Sequence, residues 1–316
     1  MFILSGAHQA TQVSDERLMI NDFVNTENTE GYGGPQADGG IKIAVQTGKN
    51  KVEYHGHKAI REYVRRQYRL KGMDSHPKAC YHHIDAPSMD GTKVEVHYRP
   101  AFLRSPLRNW RMQRWFEHHA DECMKNKTHL GFSMMTSSIN VVYQMCHLYT
   151  HIFEGGIGLR QLMDYYFALR VWHNDVMECK DLQSQGMWSE GLGTHVMSAQ
   201  EVMAVLRSFG MAKFAAAVMY VLQEVFAMPT RKLIIDCPWM ICESNEKEGR
   251  KLLEEIMKGG NFGQYDNRDA ALKNGGMVKH GVWKLKRVMR FVRSYPEEAL
   301  WEPVFRVWHL GWRLIH

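Results

Sequence analysis

Apolar and polar residues alternate in four short places within the first hundred residues, and recur at helical intervals over most of the remainder. The stretches IKIAVQ at 41–46 and KVEY at 51–54, separated by the turn-forming TGKN, predict a hairpin. From Lys58 to Leu70 the period changes. Ile60, Tyr63, Val64 and Tyr68 fall on one side of a helix, while Arg61, Arg65, Arg66 and Arg69 fall largely on the other as a solvated face. YHHIDA at 81–86, the turn-like PSMDGT and KVEVHY then predict a second hairpin, turning at Asp90-Gly91.

Past Pro100 the strand signals fade and helical ones take over. Helices are predicted over 138–153, closed by Gly155 and Gly156, and over 157–173. SAQE at 198–201 is a capping box opening a helix that stops at Gly210. Further helices follow at about 211–228, 246–258, 276–294 and 297–314, the last interrupted by Pro303. The pattern is α+β: a small mixed sheet domain over 41–105 and a larger α-helical domain over 106–316. Residues 1–40 precede them as a flexible segment, with TENTEGYGGPQADGG at 26–40 rich in loop formers.

Within KVEVHYRP at 93–100, side chains alternate, so Val94, Val96 and Tyr98 share one face and Lys93, Glu95, His97 and Arg99 share the other. That charged face is either the wet side of an antiparallel strand or the lining of a cleft in which an acid holds a metal ion.

Composition narrows the class. The 316 residues are 45% hydrophobic and 23% charged, the balance of a globular chain with a sizeable core. A net charge of +6 suits phosphate-bearing partners, nucleotides as well as polymers, but is modest for this length and gives no strong nucleic-acid signal. Cys80, Cys123, Cys146, Cys179, Cys237 and Cys242 show no repeated CxxC spacing, and no basic-then-apolar leader is visible. Both features predict reduced thiols and a cytoplasmic protein. Cys237 and Cys242 read as buried thiols rather than the start of a zinc site, since no second ligand pair follows. The apolar stretch at 214–228 is shorter than the roughly 20 residues of a spanning helix and carries Gln223 and Glu224, so it reads as a core helix.

Three constellations bear chemistry in the helical half. Asn140, Gln144, His147, His151 and Glu154 form one stripe opposite Val142, Met145, Tyr149 and Ile152. His147 and His151 are open to a structural, a phosphate-binding or a metal role, although the HExxH glutamate is absent. Arg160 and Asp164 stand four apart among Leu159, Leu162, Met163 and Tyr166, either as an arginine held toward a phosphate or as an ion pair orienting two helices. Towards the carboxyl end, Lys284, Lys286, Arg287, Arg290 and Arg293 mix with Trp283, Trp301, Trp308 and Trp312. Such a helix either packs its aromatics on the domain or makes a weak peripheral contact with an anionic membrane.

Taken together, KVEVHYRP, HLYTHIF at 147–153 and GIGLRQLMDYYFAL at 156–169 resemble the uncharacterised nucleotidyltransferase family widespread in bacteria, a branch of the polymerase-beta-like superfamily. The resemblance covers roughly residues 57–316. It implies transfer of a nucleoside monophosphate from a nucleoside triphosphate to an acceptor hydroxyl or phosphate, with magnesium. In that superfamily a helix opening with Gly-Gly or Gly-Ser precedes a strand bearing two acids, and a later strand supplies a third. Glu95 matches the third acid, and clustered carboxylates hold the metals that neutralise developing phosphate charge.

The earlier pair departs from the pattern. In NKVEYHG, Lys51 stands where the first acid belongs and Glu53 where the second does, and lysine cannot ligate magnesium at neutral pH. Gly39 and Gly40 lie upstream but lead into a strand pattern rather than a helix. Either the amino-terminal catalytic half is truncated or replaced, or an acid further upstream such as Asp38 takes part. The expected site has Glu95 and Glu53 as catalytic and metal-binding acids, and His97, Arg99, His147, His151, Arg160 and Asp164 at nucleotide or phosphate. A metal shared by Glu53 and Glu95 requires them on adjacent strands, with carboxylates about 4–5 Å apart. The alternative function is a catalytically inactive binding or scaffold protein of the same fold.

Overall fold

The computed structural model describes residues 3–4, 42–47, 50–73, 79–89, 92–127, 133–184, 196–228, 240–260, 265–273 and 275–315. Most of the segment 1–40, the Asp90-Gly91 turn and Cys237 lie outside these residues. The chain divides into two compact units. One comprises Met1–Pro100, Gln113–Met134 and Trp308–His316; the other comprises Ala101–Met112 and Met135–Val307.

In the first unit the order is β1 (Ile3–Leu4), β2 (Lys42–Thr47), β3 (Asn50–His55), α1 (Gly56–Leu70), β4 (His83–Met89) and β5 (Thr92–His97). The strand, strand, helix, strand, strand order from residue 41 to 100 is therefore as its periodicity predicts. The strands form two antiparallel sheets, β1-β5-β4 and β2-β3. β5 is central in its sheet because the short β1 pairs along its far edge.

Alternation decides which side of the β4–β5 hairpin is covered. Ile84 and Ala86 of β4 and Val96 of β5, with Tyr98 just beyond, share a core with Ile60, Val64 and Tyr68 of α1, and Val94 and Trp312 pack against it. Burying these side chains contributes about 1.5–3 kcal/mol for each large one. A one-residue slip of register would turn the apolar set to the other face, so packing fixes the register. The arginine face of α1 is not uniformly solvated. Arg65 and Arg66 are partly exposed and Arg69 exposed, but Arg61 is buried, with its guanidinium over the Trp312 ring at 5.9 Å.

The second unit is built of helices. After α2 (Pro106–His118), which begins in this unit, and α3 (Ala120–Lys125) of the first unit, they are α4 (Ser137–Glu154), α5 (Leu159–Ser184), α6 (Ala199–Ser208), α7 (Ala212–Phe226), α8 (Glu246–Gly259), α9 (Ala270–Lys273), α10 (Met277–Met289) and α11 (Pro296–Ile315). α4 is buried over nearly its whole circumference, Val142, Met145, Tyr149 and Ile152 with Ile139, Val141, Cys146, Leu148 and Phe153. Tyr149 meets the rings of Phe153, Phe214 and Tyr295 edge-on at 5.1, 5.1 and 5.5 Å, geometry that suits the ring quadrupoles.

Local signals set the helix ends. Ser198 and Glu201 form the capping box that opens α6, and Gly210, at φ +78°, closes it in a conformation that costs other residues energy. α5 runs to Ser184, beyond the 157–173 expected. α11 passes through Pro303 without a break. The proline removes one main-chain donor, while Glu302 beside it is tied to both Arg104 and Arg306. The Arg104 amide also donates to Glu298 at 2.8 Å. Among the described residues no helix is long and apolar enough to cross a membrane. On α11, Trp308 and Trp312 pack edge-on against Tyr81 at 4.9 and 5.9 Å within the first unit, and on α10 Trp283 is buried in the second.

Candidate metal and nucleotide site on the second hairpin

The side of β4–β5 away from the core carries four ionisable side chains in two opposed pairs. The ladder sets His83 opposite His97 and Asp85 opposite Glu95, and directly opposed residues keep their Cβ atoms about 4.5–5.5 Å apart. The sequence pattern of alternating faces is thus kept: Val94, Val96 and Tyr98 face α1, and Glu95 and His97 face away.

His97 is the most enclosed member at 2% exposure, and its Nε2 lies 3.4 Å from Glu95 Oε2. Glu95 keeps 26% of its side chain open. The His83 and His97 rings stack with centroids 5.2 Å apart, and His83 Nε2 faces Asp85 Oδ1 at 3.9 Å. The other nitrogen of His83, Nδ1, lies 2.9 Å from His82 Nε2. His82 is itself pinned, its carbonyl accepting from the Tyr98 and Arg99 amides at 3.0 and 3.1 Å. One ligand atom from each of His83, Glu95 and His97 lies within 4.8 Å of the others.

Magnesium, which the resemblance implies, prefers an octahedron of oxygens with several retained waters. Two imidazole nitrogens and one carboxylate oxygen do not fit that preference.

The remaining expected residues stand as follows. Glu53 belongs to β3, and β3 pairs with β2 rather than with β4 or β5, so Glu53 and Glu95 are not on adjacent strands of one sheet. The Glu53 side chain lies outside the described residues, as do those of Lys51 and Lys93. The acid facing Glu95 is Asp85. Arg99 turns to Tyr81, donating to its carbonyl at 2.7 Å with the guanidinium 4.2 Å from the ring centroid.

In the second unit His147 and His151 do come together, with their Nε2 atoms 3.0 Å apart, and Gln144 donates to Asn140 at 3.2 Å along the same stripe. All four, and Glu154, are half-buried on a helix that is otherwise buried. Arg160 and Asp164 are both exposed on α5. The burial cost that made their pairing noteworthy therefore does not arise, and an exposed pair is worth little.

Residues 50–186, from β3 through α5, match a family model described as uncharacterised nucleotidyltransferase. The stretch includes both strands of the second hairpin and the whole of α4. No curated protein and no solved structure matches the chain.

Proposed function

We propose that this protein transfers a nucleoside monophosphate from a nucleoside triphosphate to an acceptor hydroxyl or phosphate, with the reaction centred on the outer face of β4–β5. In this reaction the acceptor oxygen bonds to the α-phosphorus, the α–β phosphoanhydride bond breaks, and pyrophosphate leaves; a divalent ion bound with the triphosphate would supply charge neutralisation on the leaving pyrophosphate. In this reading Glu95, partly open and 3.4 Å from His97 Nε2, accepts the acceptor's proton, with His97 orienting it. Asp85 on the opposed position adds the second carboxylate. The observation that carries the reading is this pairing of two acids and two histidines on one strand face, inside the segment matched to the nucleotidyltransferase family.

A second reading has one observation in its favour: β3 carries Lys51 and Glu53 where the family resemblance expects two acids. In that reading the hairpin binds nucleotide without turnover. Pyrophosphate release from each of the common triphosphates, measured with a panel of divalent ions and mixed acceptors, separates the two. Transfer predicts release that falls by roughly 10²–10⁴-fold in Glu95→Gln; binding alone predicts saturable nucleotide affinity with no release above the metal-only rate.

A further inference from the structure

We propose that His83, Glu95 and His97 form a site for a borderline transition ion of the zinc or cobalt class, held by the protein in the absence of nucleotide. The inference deepens the reading above in sharing Glu95 with it, but it rests on the donor set rather than on transfer.

Three features of the hairpin support it. The first is the donor set, since two imidazoles and a carboxylate select zinc, iron, cobalt or nickel over magnesium and calcium. Three protein ligands of the His, His, carboxylate type also leave a coordination position for water or a phosphate oxygen.

The second is spacing. A point among three atoms no more than 4.8 Å from one another lies within about 2.8 Å of each, a small side-chain rotation from a zinc–nitrogen bond of about 2.1 Å. His83 and His97 are opposed on one ladder, and Glu95 stands two residues before His97 on the same strand, so the backbone already sets their separation, and strands hold such constellations more precisely than loops.

The third is the surrounding shell. A ligating histidine characteristically engages its second ring nitrogen with a polar partner, which fixes the tautomer and the ring plane. His83 does this through His82, at 2.9 Å from its Nδ1, while its Nε2 faces Asp85. Asp85, 3.9 Å from His83 Nε2, adds a second carboxylate at the rim, so a divalent cation meets two carboxylates and two imidazoles. The ion would also raise the stability of the hairpin, because a ligand that binds only the folded state stabilises it by mass action.

The test uses the full chain, stripped with a chelator and titrated with Co²⁺ and, separately, Zn²⁺, with no nucleotide present. The expected result is one tight equivalent per chain, a cobalt visible spectrum of four- or five-coordinate intensity, and no competition from millimolar magnesium. Glu95→Gln and His83→Gln should each weaken binding by more than about tenfold, and His82→Ala by about 10–100-fold as a second-layer partner. His97 is buried, so its ligation is read without mutation, from ring-nitrogen chemical shifts of the wild-type protein on adding Zn²⁺. Loss of tight binding in a His147→Gln/His151→Gln variant with no loss in the hairpin variants would overturn the proposal, as would magnesium displacing cobalt at equal concentration. Tight cobalt binding without pyrophosphate release leaves this site standing and removes the transferase reading; release that depends on Glu95 with no tight cobalt binding does the reverse.

Discussion

Asp85 stands directly opposite Glu95 across the antiparallel β4–β5 ladder, on the face turned away from the core. Two carboxylates so opposed repel each other unless something positive lies between them, and like charges at opposed positions cost about 0.2–1 kcal/mol. Metal-free Asp85→Asn protein is therefore expected to be as stable as wild type or more stable by up to that amount, while its pyrophosphate release falls. Thermal unfolding with chelator present checks the first half. A clear loss of stability would show that Asp85 is held by structural bonds and not by its place in a site.

The hairpin also shows how far alternation carries. The apolar face of KVEVHYRP and the helical side of Ile60, Val64 and Tyr68 were legible because burial demands a period of two on the strand and 3.6 on the helix. Asp85 and His83 were not singled out, although YHHIDA contains them at alternate positions. The missing step was register: pairing the two strands about their turn sets 85 against 95 and 83 against 97. At Arg160 and Asp164 the sequence misled only about burial. Their apolar sequence neighbours suggested burial, but Met163 is itself exposed and the pair lies on the open side of α5. A sequence window cannot tell which side of a helix is covered when apolar residues stand on both.

The buried ion network of the second unit makes a test of another kind. Arg104, Glu298 and Glu302 are all nearly inaccessible, Arg104 pairing with Glu302 through its side chain and with Glu298 through its amide. Removing one partner leaves a buried charge, so Glu302→Ala should cost about 3–5 kcal/mol of unfolding free energy. The double variant Arg104→Met/Glu302→Met should recover much of it, since neither charge then has to be desolvated. Denaturant titration of Arg104→Met, Glu302→Met and the double gives the coupling; simple additivity of the losses would refute the pairing.

Asp266 supplies a pH dependence. Burial alone would raise its pKa, but the Arg268 side-chain and amide hydrogen bonds and the charges of Arg268 and Arg290 outweigh this and lower it from 3.8 to about 2. Arg287 also reaches it, at 3.2 Å. A depressed carboxylate contributes stability that is present above its unfolded value and is lost as pH falls through the folded one. The contribution, about 2 kcal/mol, is thus complete above about pH 4 and disappears toward pH 2. Comparing the pH dependence of the denaturation midpoint for wild type and Asp266→Asn should show a wild-type slope in that window which the variant lacks.

The capping box of α6 gives a smaller effect. Ser198 accepts from the Glu201 amide at 3.3 Å and donates its own amide to the Glu201 carboxylate at 2.7 Å. Ser198→Ala should lower stability by about 1 kcal/mol. Hydrogen exchange should speed up at the first turn of α6, with α4 unchanged.

The central claim concerns where the triphosphate and its ion sit. Paramagnetic broadening by Mn²⁺ bound to a non-hydrolysable nucleoside triphosphate reads that position directly from backbone amide signals. The account predicts that the amides of residues 83–85 and 95–97 broaden first and that Glu95→Gln restores them. Broadening centred on His147 and His151, with the β4–β5 amides unaffected, would contradict it.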